Sequence, residues 1–314
     1  MPIEGKNQVL KYTKKSVTIA GLAKWQNCLL SSLMLIVFFW GCTVAPTKRL
    51  HVSAISRSFA EGVIISTRLG RAVTFEDLLD DLDSCQITYV GEKHTNDAHH
   101  KIQLQLIQSI FKNHPNMVVA MEMFDHTYQD VLDLWSAGKL DERTFLRKTQ
   151  WYANWRYDFS LYRDILNFIK ENRIRLVALN IPTYIPPRIR EGGIENLQDD
   201  DKKHLPEDID TSNTAHRDYV REVFNHHHHL TGRVEFEDFY MVQAVWEDAM
   251  AEMIAQNLIN GPMVVLAGNG HIQFKYGIPD RAFRRTGASF RTIYLAPAGG
   301  DVERDIADYI WVTD

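Results

Sequence analysis

The sequence predicts an α/β fold: a mostly parallel central sheet with helices on both faces, plus helical insertions. Three observations predict it. The candidate strands are apolar along their whole length, helical segments separate them, and residues 60–314 contain no internal repeat or low-complexity linker. Strands apolar on both sides must be covered on both faces, the usual setting of parallel sheets. With 314 residues, 45% of them apolar and 24% charged, the chain can bury a large core. A formal net charge of −5 argues against nucleic-acid binding, which draws on a basic surplus.

Residues 1–41 are expected to be a lipoprotein-type signal peptide, 42–60 a tether and 61–314 the α/β domain. Lys6, Lys11, Lys14, Lys15 and Lys24 form a basic front, and Leu29–Trp40 is apolar apart from Ser31 and Ser32. That run is short for a membrane span of roughly 20 residues and fits a signal core. It closes on Gly41-Cys42, like a lipobox in which the cysteine is lipidated. Trp40 is bulky for its place there, and an uncleaved signal anchor is the alternative. Of the three cysteines, Cys28 would be cleaved away and Cys42 lipidated, leaving Cys85. The mature chain then has no internal disulfide and no cysteine-rich metal site. Cys85 precedes an apolar strand and reads as a small buried residue.

Gly62–Thr74 reads as a hairpin turning near Leu69-Gly70. Thr74 is a candidate N-cap for a helix over Phe75–Leu82, with Asp77 placed to complete the cap. Strands follow at Gln86–Gly91, Met117–Met123, Ile174–Leu179, Met263–Ala267, Ser289–Leu295 and Ile310–Val312. Helices are expected at Ala98–Phe111, Gln129–Ser136, Asp141–Thr149, Leu161–Glu171, around Arg188, at Thr214–His227 and at Glu237–Ile259. The polar stretch Leu197–Asn213 reads as a surface loop.

Two matching tetrapeptides leave core strands: Gly91-Glu92-Lys93-His94 and Gly268-Asn269-Gly270-His271. The glycine allows a sharp backbone turn where a side chain would clash. The histidine then projects over the carboxyl edge of the sheet, where open α/β folds place ligands. Glu122 interrupts an apolar strand that ends at the same edge, and an unpaired buried carboxylate there is costly. Glu92 and His94, two apart, point the same way in an extended segment. Imidazoles and carboxylates at one rim suit Zn, Mn or Fe, or the polar groups of a bound cofactor. A salt bridge across the sheet is the structural alternative for Glu122. Trp151, Tyr152, Trp155, Tyr157, Phe159 and Tyr162 form an aromatic cluster suited to a flat ring or to a core. His226–His229 is a possible accessory metal or haem contact, or a solvated helix end. Gln243, Glu247 and Met250 share one helix face and Asp248 and Glu252 a neighbouring one; these read as exposed positions on a core helix.

Six segments together resemble the ChaN family of iron-regulated, haem-binding lipoproteins, a branch of the haem-binding-uptake/Tiki superfamily. They are Tyr89–His100, Ala120–Phe124, Trp151–Trp155, Ala178–Pro182, Gln243–Ala251 and Leu266–Ile272. The resemblance implies an α/β sandwich, a lipid anchor in the bacterial outer membrane, and haem bound between two protomers of a homodimer. Thr43 after the cysteine is consistent with that membrane. The superfamily also contains Tiki-type metalloproteases and is similar to erythromycin esterases, whose paired Gly-x-x-His motifs and strand glutamate carry over to His94, His271 and Glu122, with Glu92 beside them. Glu247 stands where the family pattern has Asp. The candidate haem contacts, taken from the strand-end motifs and the aromatic cluster, are Glu92, His94, Trp151, Tyr152, Trp155, Tyr157, Gly268, Gly270 and His271. Tyr152, Tyr157 and the histidine tract are the candidates for the iron ligand. A haem-binding lipoprotein is therefore expected, with a metal-dependent hydrolase using the same crevice as the alternative.

Overall fold

The computed structural model describes residues 48–55, 57–231, 235–259 and 261–314, and for 227–231 the backbone alone. The expected signal peptide, Cys42 and the side chains of His227–His229 lie outside the described residues. Part of the expected tether, by contrast, is folded: β1 (Arg49–Val52) and β2 (Ser58–Ala60) form an antiparallel pair. Leu50 and Val52 alternate inward with exposed Arg49 and His51, the two-residue period of a half-buried strand. β3 (Ile64–Ser66) and β4 (Arg71–Val73) make the expected hairpin around Gly70, whose φ is 65°. α1 (Phe75–Leu82) starts at Thr74 with a full capping box: Asp77 N–H donates to the Thr74 hydroxyl, and Thr74 N–H donates to the Asp77 carboxylate.

The alternation then runs as the apolar segments predict. β5 (Ile87–Glu92) leads to α2 (Asp97–Asn113), which Asn96 caps. β6 (Val118–Asp125) is followed by α3 (Gln129–Ser136), α4 (Glu142–Thr149), α5 (Trp151–Asn154) and α6 (Arg163–Glu171). β7 (Arg175–Asn180) precedes α7 (Ile185–Gly192), and the expected surface loop holds the short α8 (Asp199–Lys202). Next come α9 (Thr214–Thr231) and α10 (Phe236–Asn257). β8 (Met263–Gly268) runs straight into α11 (Asn269–Ile272), and α12 (Ile278–Thr286) follows. β9 (Phe290–Pro297), β10 (Asp301–Val302) and β11 (Tyr309–Thr313) end the chain.

The main sheet has eight strands in the order β4-β3-β11-β9-β5-β8-β6-β7. It is mixed. β11, β9, β5, β8, β6 and β7 pair in parallel, while β3 pairs antiparallel with both β11 and β4. The expectation of a mostly parallel sheet thus needs the N-terminal hairpin added as an antiparallel edge. Residues of β5, β6 and β8 are buried throughout, because one face packs on α2, α3 and α6 and the other on α10 and α12. Each large aliphatic side chain so buried contributes about 1.5–3 kcal/mol. A second sheet, β10-β1-β2, packs a smaller core with Ile65, Ile310 and Val312.

Candidate functional site

β8 lies between β5 and β6, with Glu92 in register with Gly268 and Met121 with Leu266. Parallel neighbours end on one rim, so the chemistry placed just after each strand converges there. The two glycines have a reason the sequence did not reveal. Neither adopts a positive φ. Each leaves room for the other motif instead. A Cβ on Gly91 would run into the Asn269 side chain and sit 2.7 Å from Ile272 Cδ1; a Cβ on Gly268 would sit 3.0 Å from His94 Cε1. The two Gly-x-x-His arms interlock through their missing side chains.

Glu92 is fully enclosed. One carboxylate oxygen lies 2.8 Å from His94 Nδ1 and 3.5 Å from His100 Nε2, and accepts a 2.5 Å hydrogen bond from the Tyr162 hydroxyl. The other accepts from Gln103 Nε2 at 2.9 Å. Burial alone would raise this carboxyl, but its hydrogen bonds and charge interactions with His100 and His94 outweigh that and hold it at about 2. Glu92 therefore orients His94, leaving Nε2 as the ring nitrogen that faces outward from this pair. His94 itself is raised: burial pulls it down, and Glu92 and Glu122 more than offset that.

Glu122 and His271 form the other half. Glu122 accepts from the Gly268 N–H at 2.7 Å and lies 3.5 Å from His271 Nε2. His271 Nδ1 lies 3.2 Å from Glu247 on α10 and 3.1 Å from Gln243 Nε2. Burial would lower His271, but Glu122 and Glu247 on either side push it up to about 10. Behind it, Glu247 Oε2 is 2.9 Å from His216 Nε2 and 3.4 Å from Arg281 Nε. Arg281 Nη2 donates to His216 Nδ1 at 3.2 Å. That network assigns the His216 proton to Nε2, facing Glu247. Asp248 completes the network by pairing with Arg281 and Arg285.

Sequence reasoning placed Glu247 and Asp248 on exposed helix faces; both are fully buried. The available signal was an acidic pair inside the small, apolar run Ala244–Ala251, with an arginine-rich α12 to receive it. His216, His100 and Gln103 gave no such signal. His94, Glu122 and His271, the residues expected to hold a metal, come to one rim, with His94 Nδ1 on Glu92, Glu122 on the Gly268 N–H and His271 Nδ1 on Glu247; among the described residues no group of three or more His, Cys, Asp or Glu side chains is arranged to hold a metal ion.

A crevice of about 180 Å³ opens beside His94 and Glu122, lined by Trp155, Tyr157, Asn180 and Trp246 among others. The His94 ring packs on Trp155 at 4.7 Å and on Tyr157 at 5.1 Å between centroids. Trp151 is core, and its Nε1 donates to the Tyr157 carbonyl at 2.8 Å, fixing that turn. Tyr152 is 59% exposed and does not line the crevice. Gly270 and His271 line a neighbouring pocket of about 160 Å³ with Gln243 and Tyr219. His226 is exposed near the end of α9.

A family profile described as haem-binding uptake, Tiki superfamily, ChaN matches residues 78–282. Among solved structures, one described as cofacial haem binding to ChaN of Campylobacter jejuni aligns with a TM-score of 0.65 at 19% identity, over 79% of this chain and 95% of that one. An erythromycin esterase in its open conformation aligns at 0.45 and 11% identity, over 76% of each chain. At 19% identity the likeness to the ChaN structure is one of fold. A search of curated proteins finds no match.

Proposed function

The chain belongs to the ChaN family of the haem-binding-uptake/Tiki superfamily, and from that premise we propose that it binds haem in the crevice beside His94. The observation that carries this reading is the crevice itself. Trp155 and Tyr157 frame the His94 ring at an open cleft on the carboxyl rim. Aromatic walls suit a flat apolar macrocycle, and haem iron accepts a phenol oxygen or an imidazole nitrogen. Tyr157 and His94 supply one of each. Titration of the purified protein with hemin tests it: a shifted Soret band that saturates is expected, changed in position by Tyr157→Phe or His94→Ala. A spectrum identical to free hemin discards the reading.

The same proposal includes anchoring through a lipid on Cys42 in the outer membrane, supported by the basic front, the apolar run and the Gly41-Cys42 pair. Cys42→Ser should release the protein from the membrane fraction. It also includes a homodimer formed with haem, because a cleft this open leaves one face of a macrocycle uncovered. Sedimentation with and without hemin reads that directly.

A second reading, a metal-dependent hydrolase in the same crevice, rests on one observation: Glu122 stands between an imidazole and a backbone N–H at the cavity wall. A divalent ion there would have to displace those contacts. Elemental analysis of protein purified without chelator decides it, with stoichiometric metal lost in His271→Ala as the supporting result.

A further inference from the structure

Beyond the crevice the cleft widens into a larger cavity of about 380 Å³. The two share Asn154, Thr183 and Trp246 in their walls. Its floor is apolar, made by Pro186 and Pro187 of α7 and Val242 and Trp246 of α10. Two arginines stand in the wall, Arg156 and Arg190.

Each is placed by local structure. Arg156 sits on left-handed backbone, φ 71°, an uncommon conformation for a residue with a Cβ. That single turn puts Trp155 and Tyr157 together on His94 and sends the residue between them into the neighbouring cavity. Arg190 is in the last turn of α7. Its neighbour Arg188 is spent on Asp201 and on the Tyr184 ring. Among the described residues, neither Arg156 nor Arg190 makes an ion pair, and both are exposed.

An apolar floor with two guanidinium groups free at its edge suits an amphipathic anion. We propose that Arg156 and Arg190 form a carboxylate clamp for the bound ligand, taking the two propionates of haem while the macrocycle lies across the crevice and its extension. This rests on the haem reading above. Arginine matches carboxylate geometry with paired N–H donors. The donors would act at a partly exposed surface, so their effect is moderate and salt-dependent.

The test compares hemin with its dimethyl ester, which keeps the ring and iron but carries no charge on the propionates. Both are titrated into wild type and Arg156→Gln/Arg190→Gln. The wild type should bind hemin on the order of tenfold more tightly than the ester. The double variant should lose that preference while binding the ester as before, and added salt should weaken only the wild-type hemin complex. Both positions are exposed, so the variant should fold; an unchanged circular-dichroism melt checks this. A Soret band that forms but shows no preference for hemin, or affinities for both ligands that fall together in the variant, overturns the clamp alone. No Soret shift in any sample overturns the haem reading and the clamp with it.

Discussion

The two Gly-x-x-His arms share a pattern and a place, yet the structure gives their histidines opposite settings. His94 leans on a carboxylate of its own arm, Glu92, and presents its ring to the aromatic crevice, with a quarter of the side chain exposed. His271 is wedged between carboxylates from two other elements, Glu122 of β6 and Glu247 of α10, with 14% of its side chain exposed. The first faces the crevice proposed to take the ligand. The second closes a charge network running from the sheet through α10 to Arg281 of α12. A repeated motif fixes where a side chain leaves the sheet; its partners decide what it does there.

The sharpest way to break this contrast is to remove the partner that only the second arm has. Glu247→Ala leaves His271, His216 and Arg281 facing one another without their shared anion. A broken buried ion network costs about 3–5 kcal/mol, so we expect a loss of that order in chemical denaturation. Glu247→Gln keeps the shape and should cost less. A melt within about 0.5 kcal/mol of wild type for the alanine variant would show that the network is not what holds the second arm.

Proton linkage separates the arms next. His271 at about 10 in the folded protein lies above its ordinary 6.5. Its stabilisation is complete below about pH 6.5 and is lost as pH rises towards 10. Glu92 has the opposite sign. Held at about 2 against an ordinary 4.5, it stabilises above pH 4.5, and that contribution is lost as pH falls towards 2. Stability measured against pH should therefore fall on the alkaline side in wild type and less in His271→Gln. The acid limb should flatten in Glu92→Gln. Parallel curves for wild type and His271→Gln would remove the claim that this imidazole carries a buried proton.

Much of the fold was legible because it rests on local pattern. The capping box of Thr74 and Asp77, the β3–β4 hairpin and the apolar strands β5, β6, β7 and β8 announce themselves within short windows. β1, β2 and β10 were missed because each has only two to four residues, and they come together only when β10, from the far end of the chain, pairs with β1 over a core shared with Ile310 and Val312. The site was legible where each side chain sat on its own strand end. It was opaque where burial depends on tertiary neighbours: Glu247 and Asp248 look like solvent-facing helix residues until His216, His271, Arg281 and Arg285 are brought to them.

Filling the glycine space sharpens the comparison from the side of packing. A methyl at Gly91 meets the Asn269 amide and the Ile272 terminal carbon, which belong to the first and last residues of α11. Overpacking of this kind costs about 1–3 kcal/mol. Gly91→Ala should therefore destabilise measurably and displace the His271 arm.

The smallest stability effect, and the most informative one, belongs to Gly268→Ala. There the added methyl meets the His94 ring at 3.0 Å, tighter than ordinary contact by a few tenths of an ångström. That ring borders an open crevice and can yield, so the cost should stay under about 1 kcal/mol. Its displacement is nevertheless directed away from Gly268, within the frame of Trp155 and Tyr157. Hemin affinity should change several-fold while the melt barely moves. In Gly91→Ala the order should reverse, with a clear loss of stability and a smaller change in affinity. If both variants shifted the two readouts in the same proportion, the arms would be acting as one unit, and the division between a ligand-facing and a network-bound histidine would fail.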